Sequence, residues 1–267
     1  GSNVAFGEGA LEDNTTGSNN TAIGRDSLKE ITTSQAATAV GKGAAQNNTA
    51  NYTTAFGYRA LEQNTSGTGN TAVGMEAGVT QTTAANSTFV GFQAGSATTT
   101  GSANTALGRS ALNSNATGAN NVAVGGYALY SSTASNNTAV GYQALYNNTT
   151  GTQNTAVGAQ ALDATTSGIR NVAVGYSAGG SITTADQNVA IGRNALAANA
   201  TSDNNTAVGH DSFGSSTATR NTGLGTGTGR ATTTGSNNTF LGTFSGFDNT
   251  TGNYNTGVGG YALFYTT

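Results

Sequence analysis

The chain has 267 residues, 40 of them Gly, with no Cys, Pro or Trp, one His, one Met, 8% charged residues and a formal net charge of −3. This composition excludes a disulfide scaffold and thiolate metal sites, and it offers a phosphate backbone no basic block to bind. It contains no apolar run long enough to span a bilayer, and no signal peptide is expected within these residues. Low hydrophobicity with abundant Gly, Ser and Thr is also a signature of disorder, but regularly placed Val, Ile, Leu and Phe argue for packed structure.

Read from the N-terminus, the chain is one motif repeated. Copies start at Asn3, Asn20, Ala37, Thr53, Asn70, Ser87, Asn104, Asn121, Asn137, Asn154, Asn171, Asn188, Asn205, Asn221, Asn238 and Asn255. Successive starts are seventeen apart, as from Asn137 to Asn154, or sixteen apart after Ala37, Asn121 and Asn205. The sixteen copies fill residues 1–267 and leave no linker, so the expectation is a single repeat domain. Each copy runs Asn, Thr or Val, a small residue, a large apolar residue and Gly, as in Asn154-Thr155-Ala156-Val157-Gly158. Two variable positions follow, then Ala or Ser, then usually Leu or Gly. The tails are turn material, such as Asn148-Thr149-Thr150-Gly151.

Residues two apart share one face of a strand, which predicts a short strand in each copy with Val140, Val157 and Val174 in the core. Gly141, Gly158 and Gly175 then mark a corner with positive φ or a close backbone approach. The Ala-Leu pair is expected in a second short strand, with Leu145 and Leu162 also in the core. A unit of this length cannot bury its own apolar face, whereas stacked units can. The expected fold is all-β: a parallel β-solenoid of sixteen coils, a rod roughly 75 Å long at about 4.8 Å per coil. The leading Asn, present in thirteen copies, is expected to form a ladder of amides that bond from coil to coil and satisfy turn backbone.

A longer period overlies the first. The three shorter copies, starting at Ala37, Asn121 and Asn205, recur at every fifth coil. Arg25, Arg109 and Arg193 share that spacing, as do Tyr58 and Tyr142, and Phe92 and Tyr176. The plain account is duplication of a five-coil block; the sharper one is a partner met every five coils.

Asn171-Val172-Ala173-Val174-Gly175 and Asn188-Val189-Ala190-Ile191-Gly192 resemble the short repeats in the heads of trimeric autotransporter adhesins. The fuller stretch Asn137–Gly151 is similar to repeats of phage tail fibres and related bacterial surface proteins. The resemblance covers all sixteen copies. It implies a left-handed parallel β-roll, three chains side by side, an extracellular, cell-surface or virion location, and binding to a host-surface glycan or protein. The adhesin repeat is shorter than the one here, and within these 267 residues no coiled-coil stalk or membrane anchor is expected.

No catalytic, cofactor or metal site is expected. Gly175-Tyr176-Ser177-Ala178-Gly179 matches the nucleophile-elbow pattern, but the equivalent Gly91-Phe92-Gln93-Ala94-Gly95 lacks the Ser, and the lone His210 has no reason to lie near. Neither Gly223-Leu224-Gly225-Thr226-Gly227-Thr228-Gly229 nor Val40-Gly41-Lys42-Gly43 has the spacing of a phosphate loop, and no acidic array suggests Ca²⁺. Asn-x-Thr sequons at Asn14, Asn51, Asn115, Asn199 and Asn249 arise from composition. The variable positions after Gly carry Arg25, Tyr58, Arg59, Phe92, Arg109, Tyr127, Tyr142, Tyr176, Arg193, Phe244 and Tyr261. These form an expected outward stripe, either for recognition or for packing between chains.

The leading functional expectation is a non-enzymatic structural and adhesive fibre segment that associates with itself, as a homotrimer or an end-to-end filament. An ice-binding solenoid is the first alternative, weakened because the Thr column lies two residues from Val and should face inward with it. A glycan-binding or glycan-processing β-helix is the remote one, since no recurring carboxylate pair is present. The first copy begins on its strand and the last ends at Leu263-Phe264-Tyr265-Thr266-Thr267 without a polar cap. Bare strand edges invite pairing, so the chain is expected to be part of a longer fibre or to stack on its own kind.

Overall fold

The computed structural model describes residues 1–265; Thr266 and Thr267, the end of the stretch expected to lack a polar cap, lie outside the described residues. The chain forms two compact units, Gly1–Asn136 and Asn137–Thr267. The first holds eight three-residue strands, β1 (Val4–Phe6) through β8 (Val122–Val124). Within it, each strand pairs in parallel with the next in sequence order. The second unit repeats the arrangement with β9 (Thr138–Val140) through β16 (Thr256–Val258). Register is kept copy for copy, so Thr155, Ala156 and Val157 stand against Val172, Ala173 and Val174. Both units are therefore parallel β-solenoids with one coil per copy, and no helix occurs among the described residues.

The strand faces are the reverse of the sequence expectation. Ala156, not Val157, is the fully buried member of its strand, and Val157 and Val174 are each 37% exposed. Val140 is half-buried, and the large apolar slot is buried in no copy. Volume explains the inversion. Alternation in a strand says which residues share a face but not which face is inside, and the interior here is one side chain wide. Leu145 and Leu162 enter it from the far side of the coil, both with no exposure, and leave room opposite them only for Ala.

The Ala-Leu pair is also not in a second strand. Ala161 and Leu162 lie in a turn, with Leu162 at a φ of 51°. The Ala161 N–H donates to Gly158 O within the coil, and the Leu162 N–H donates to Ala178 O of the next. Turn backbone thus joins the inter-coil bonding without strand geometry, which satisfies donors that burial would otherwise strand.

Where Gly stands in place of the Leu, another large side chain fills the space: Ile182 with Leu162 at Gly179, and elsewhere Phe from the opposite wall. Gly78 and Gly95 take the Leu position in adjacent coils, and an added Cβ would fall 2.8 Å and 2.3 Å from the buried ring of Phe89. Phe213 likewise fills the Leu position beside Gly223 and Gly229, and Phe240 fills the strand position against Gly246. Total volume is conserved while its source alternates, as close packing requires.

Gly158 shows why one slot is Gly in all sixteen copies. Its φ is +133°, and an added Cβ would lie 2.4 Å from Gly175 O of the next coil. Both expectations for this slot, positive φ and close approach, are met together, and Gly141 (φ +138°) and Gly175 (φ +132°) repeat the arrangement. An L-residue would meet a strained dihedral and a backbone clash at once.

The Asn ladder is present. The Asn171 N–H donates to Asn154 Oδ1 at 2.9 Å, and Asn171 Nδ2 donates to Ala185 O at 2.7 Å, at the end of its own coil. Each amide thereby joins two coils and closes one, fully occupied although buried. A second ladder runs along the tails, where Thr149 Oγ1 donates to Thr166 O and Thr166 Oγ1 to Thr183 O. The three shorter copies lose their residue at one place. There the N–H groups of Ala50, Ala134 and Ala218 donate to side-chain oxygens of Asn48, Ser132 and Ser216, two positions back. Such local side-chain turns are what Asn and Ser offer a tightened loop.

Candidate functional site

Two surfaces are built by every coil. The first is the outer face of the sheet. It consists of a Thr/Val column and a Val/Ile/Phe/Leu column with no charged residue in either, for example Thr138, Thr155 and Val172 beside Val140, Val157 and Val174. Adjacent strands fix both columns at about 4.8 Å per step. In the first unit Ile23, Phe56, Val73 and Leu107 are each between 39% and 47% exposed. The Thr column, expected inside, is outside with the apolar one.

The second surface is the corner after the Gly column. Arg25, Tyr58, Phe92, Arg109, Tyr142, Tyr176 and Arg193 occupy its first position and are all exposed. Arg59, Tyr127, Phe244 and Tyr261 occupy the next position, each in left-handed conformation with φ between 55° and 59°. The stripe is thus two columns, not one. Within it the cations sit over rings: Arg109 lies 6.0 Å from the Phe92 centroid and 5.4 Å from that of Tyr127. Arg193 lies 6.0 Å from Tyr176, so the Phe92–Arg109 pair recurs five coils on with the same spacing. Tyr58 is flanked by Lys42 at 5.8 Å and Arg59 at 5.9 Å. Arg59 also meets Glu62 at 2.7 Å and Glu76 at 3.3 Å, and the hydrogen bond from Arg59 to Glu62 raises the pKa of the guanidinium. Among the described residues, no three His, Cys, Asp or Glu side chains gather as metal ligands.

Comparison with protein families, curated proteins and solved structures finds no match to this chain. The reading of both surfaces therefore rests on their own chemistry.

Sequence reasoning missed a third group. Five positions after the Gly slot of each coil, Gly180, Ala197 and Gly214 are followed by Arg230, Phe247 and Phe264. The structure brings this column beside Asn194, Asp211, Phe244 and Tyr261 on the second unit. Its signal was available: aligned on Gly158, that one position runs Gly, Ala, Gly and then Arg, Phe, Phe through the last six coils.

Proposed function

We propose that the chain is a non-enzymatic structural and adhesive fibre segment, extracellular or on a virion, that associates with copies of itself through the outer face of the sheet. The observation that carries this is the uncharged, half-exposed Val/Ile/Phe/Leu column, repeated at every coil. A surface with a strict axial repeat is best covered by one with the same repeat, and a second copy supplies it. The repeat resemblance points to a trimer.

The magnitudes require the whole face. Covering the exposed part of one Val contributes roughly 0.5–1 kcal/mol, so the eight coils of a unit together reach only the order of the entropy lost on association. Sedimentation velocity across a hundredfold concentration range tests the reading. The expected outcome is a homotrimer that Val157→Asp with Val174→Asp converts to monomer while circular dichroism stays unchanged. A clean wild-type monomer at all concentrations overturns it.

A second reading has its own support. The Thr column faces outward, which removes the objection to an ice-binding surface, and regular Thr rows on a flat sheet can order water. The two readings compete for one face, since association would cover what ice must reach. Thermal hysteresis at micromolar protein separates them.

A further inference from the structure

The corner of the second unit changes character along its length. Coils starting at Asn171, Asn188 and Asn205 place Gly180, Ala197 and Gly214 where other coils carry Tyr146 or Glu62. Removing those side chains leaves a trough. Its polar part has a volume of about 220 Å³ and is lined by Asn194, Ala197, Asp211, Gly214, Ser215 and Arg230. Arg230 is its end wall, and on the other side of the same side chain lies an aromatic cleft of about 230 Å³. Phe244, Phe247, Tyr261 and Phe264 form that second part.

The two halves are chemically complementary. In the polar half, Asn194 Nδ2 donates to Asp211 Oδ1 at 3.2 Å, and the Arg230 guanidinium lies 3.6 Å from Asp211 Oδ2. Carboxylate and guanidinium offset each other, so the trough offers acceptors and donors side by side with little net charge. In the aromatic half, Phe247 and Phe264 stack at 5.0 Å with planes 5° apart, while Phe244 packs 5.4 Å from Phe247 and Tyr261 5.5 Å from Phe264. Arg230 lies 6.0 Å from the Phe247 centroid, which holds the shared wall in place.

Each half is smaller than an ordinary ligand site of about 300–1,000 Å³, but the two joined at Arg230 fall within that range. A ligand filling both must be elongated, uncharged, rich in hydroxyls along one stretch and apolar on a flat face along another. We propose that this trough binds a neutral oligosaccharide, lying along the axis with its hydroxyls on Asp211, Asn194 and Arg230 and the C–H face of a sugar ring in the aromatic cleft lined by Phe244, Phe247, Tyr261 and Phe264. The functional groups step by about 4.8 Å from coil to coil, close to the advance of an extended pyranoside chain per sugar. The site names a ligand class for the adhesive part of the proposed function, but it does not depend on self-association, because its residues are not on the sheet face.

The test is saturation-transfer NMR followed by isothermal titration of the intact chain against four- to six-sugar β-glucan, mannan and galactan oligosaccharides. Sialylated and uronic-acid oligosaccharides form a second arm. We expect at least one neutral oligosaccharide to bind, with affinity reduced at least tenfold in Phe247→Ala and, separately, in Asp211→Ala. Tyr176→Ser, on the corner of the same unit but outside the trough, should bind as wild type, and sedimentation should show all variants assembled alike. No binding by the neutral panel at millimolar ligand, binding confined to the acidic arm, or equal binding by wild type and both trough variants would each overturn the assignment. Loss of assembly with sugar binding intact would instead count against the sheet-face interface alone.

Discussion

Val157 and Ala159 are two positions apart on one coil, both on its outer surface, and their columns behave in opposite ways. Through the coils before and after, the first column reads Val140, Val157, Val174 and the second Tyr142, Ala159, Tyr176. Outward exposure alone therefore does not set how freely a position varies. The first column lies on the sheet, where every neighbour is a strand at fixed spacing. The second lies just past Gly158, where the chain leaves the strand for a turn and each side chain meets turn residues of the adjacent coils, as Tyr176 meets Arg193. The difference separates a surface shaped for repetition from one shaped for discrimination.

The largest expected effect falls on the hinge between the two columns. Gly158→Val should destabilise its unit by about 4 kcal/mol, combining dihedral strain with an overpacked contact, read as a shift of the urea midpoint. Leu162→Ala, just behind the corner, should cost about 3 kcal/mol and leave a cavity under Ala156. If it costs less than a third of that, the interior is looser than the buried Leu column indicates.

Between the surfaces themselves the contrast is in kind. Val157→Thr should change unfolding free energy by about 0.5 kcal/mol or less, as surface exchanges do, while weakening assembly in sedimentation. Tyr176→Ser should cost at most about 1 kcal/mol through its contact with Arg193 and leave assembly untouched. Equal effects of the two on assembly would erase the distinction between the columns.

The smallest effect is a pH dependence. Partial burial raises the pKa of Asp163 above its ordinary value of 3.8, against weaker opposing hydrogen bonds from the backbone N–H groups of Asp163 and Ala164. The folded state thus holds this proton more tightly than the unfolded chain, so stability attributable to Asp163 falls as pH rises from 3.8 through the raised value. Asp163→Asn should raise the thermal midpoint at pH 7 and leave it unchanged near pH 3.

Much of this architecture was legible in the sequence, because the same residue was required at the same place sixteen times. The Gly slot announced a backbone that tolerates no Cβ, and Asn announced a ladder. The strand faces were not legible. Thr155-Ala156-Val157 alternates either way, and hydrophobicity favoured the wrong side because the interior was too narrow for Val. The exchange of Leu for Phe, as at Phe89 against Gly95, was hidden for a related reason: the two stand six apart in sequence and meet only across the coil. The trough around Arg230 was harder still, since it is made by what Ala197 and Gly214 lack.

The side-chain turns at Asn48, Ser132 and Ser216 have a consequence for how such a gene can change. They are the places where a coil has given up one residue without disturbing the strands on either side. A whole coil can be gained or lost without changing the pairing rule of those that remain, whereas a single codon can be dropped only at that turn. Variation in the number of coils is thus the least disruptive inheritance open to this sequence, and the echo at every fifth coil is what such copying in blocks would leave behind.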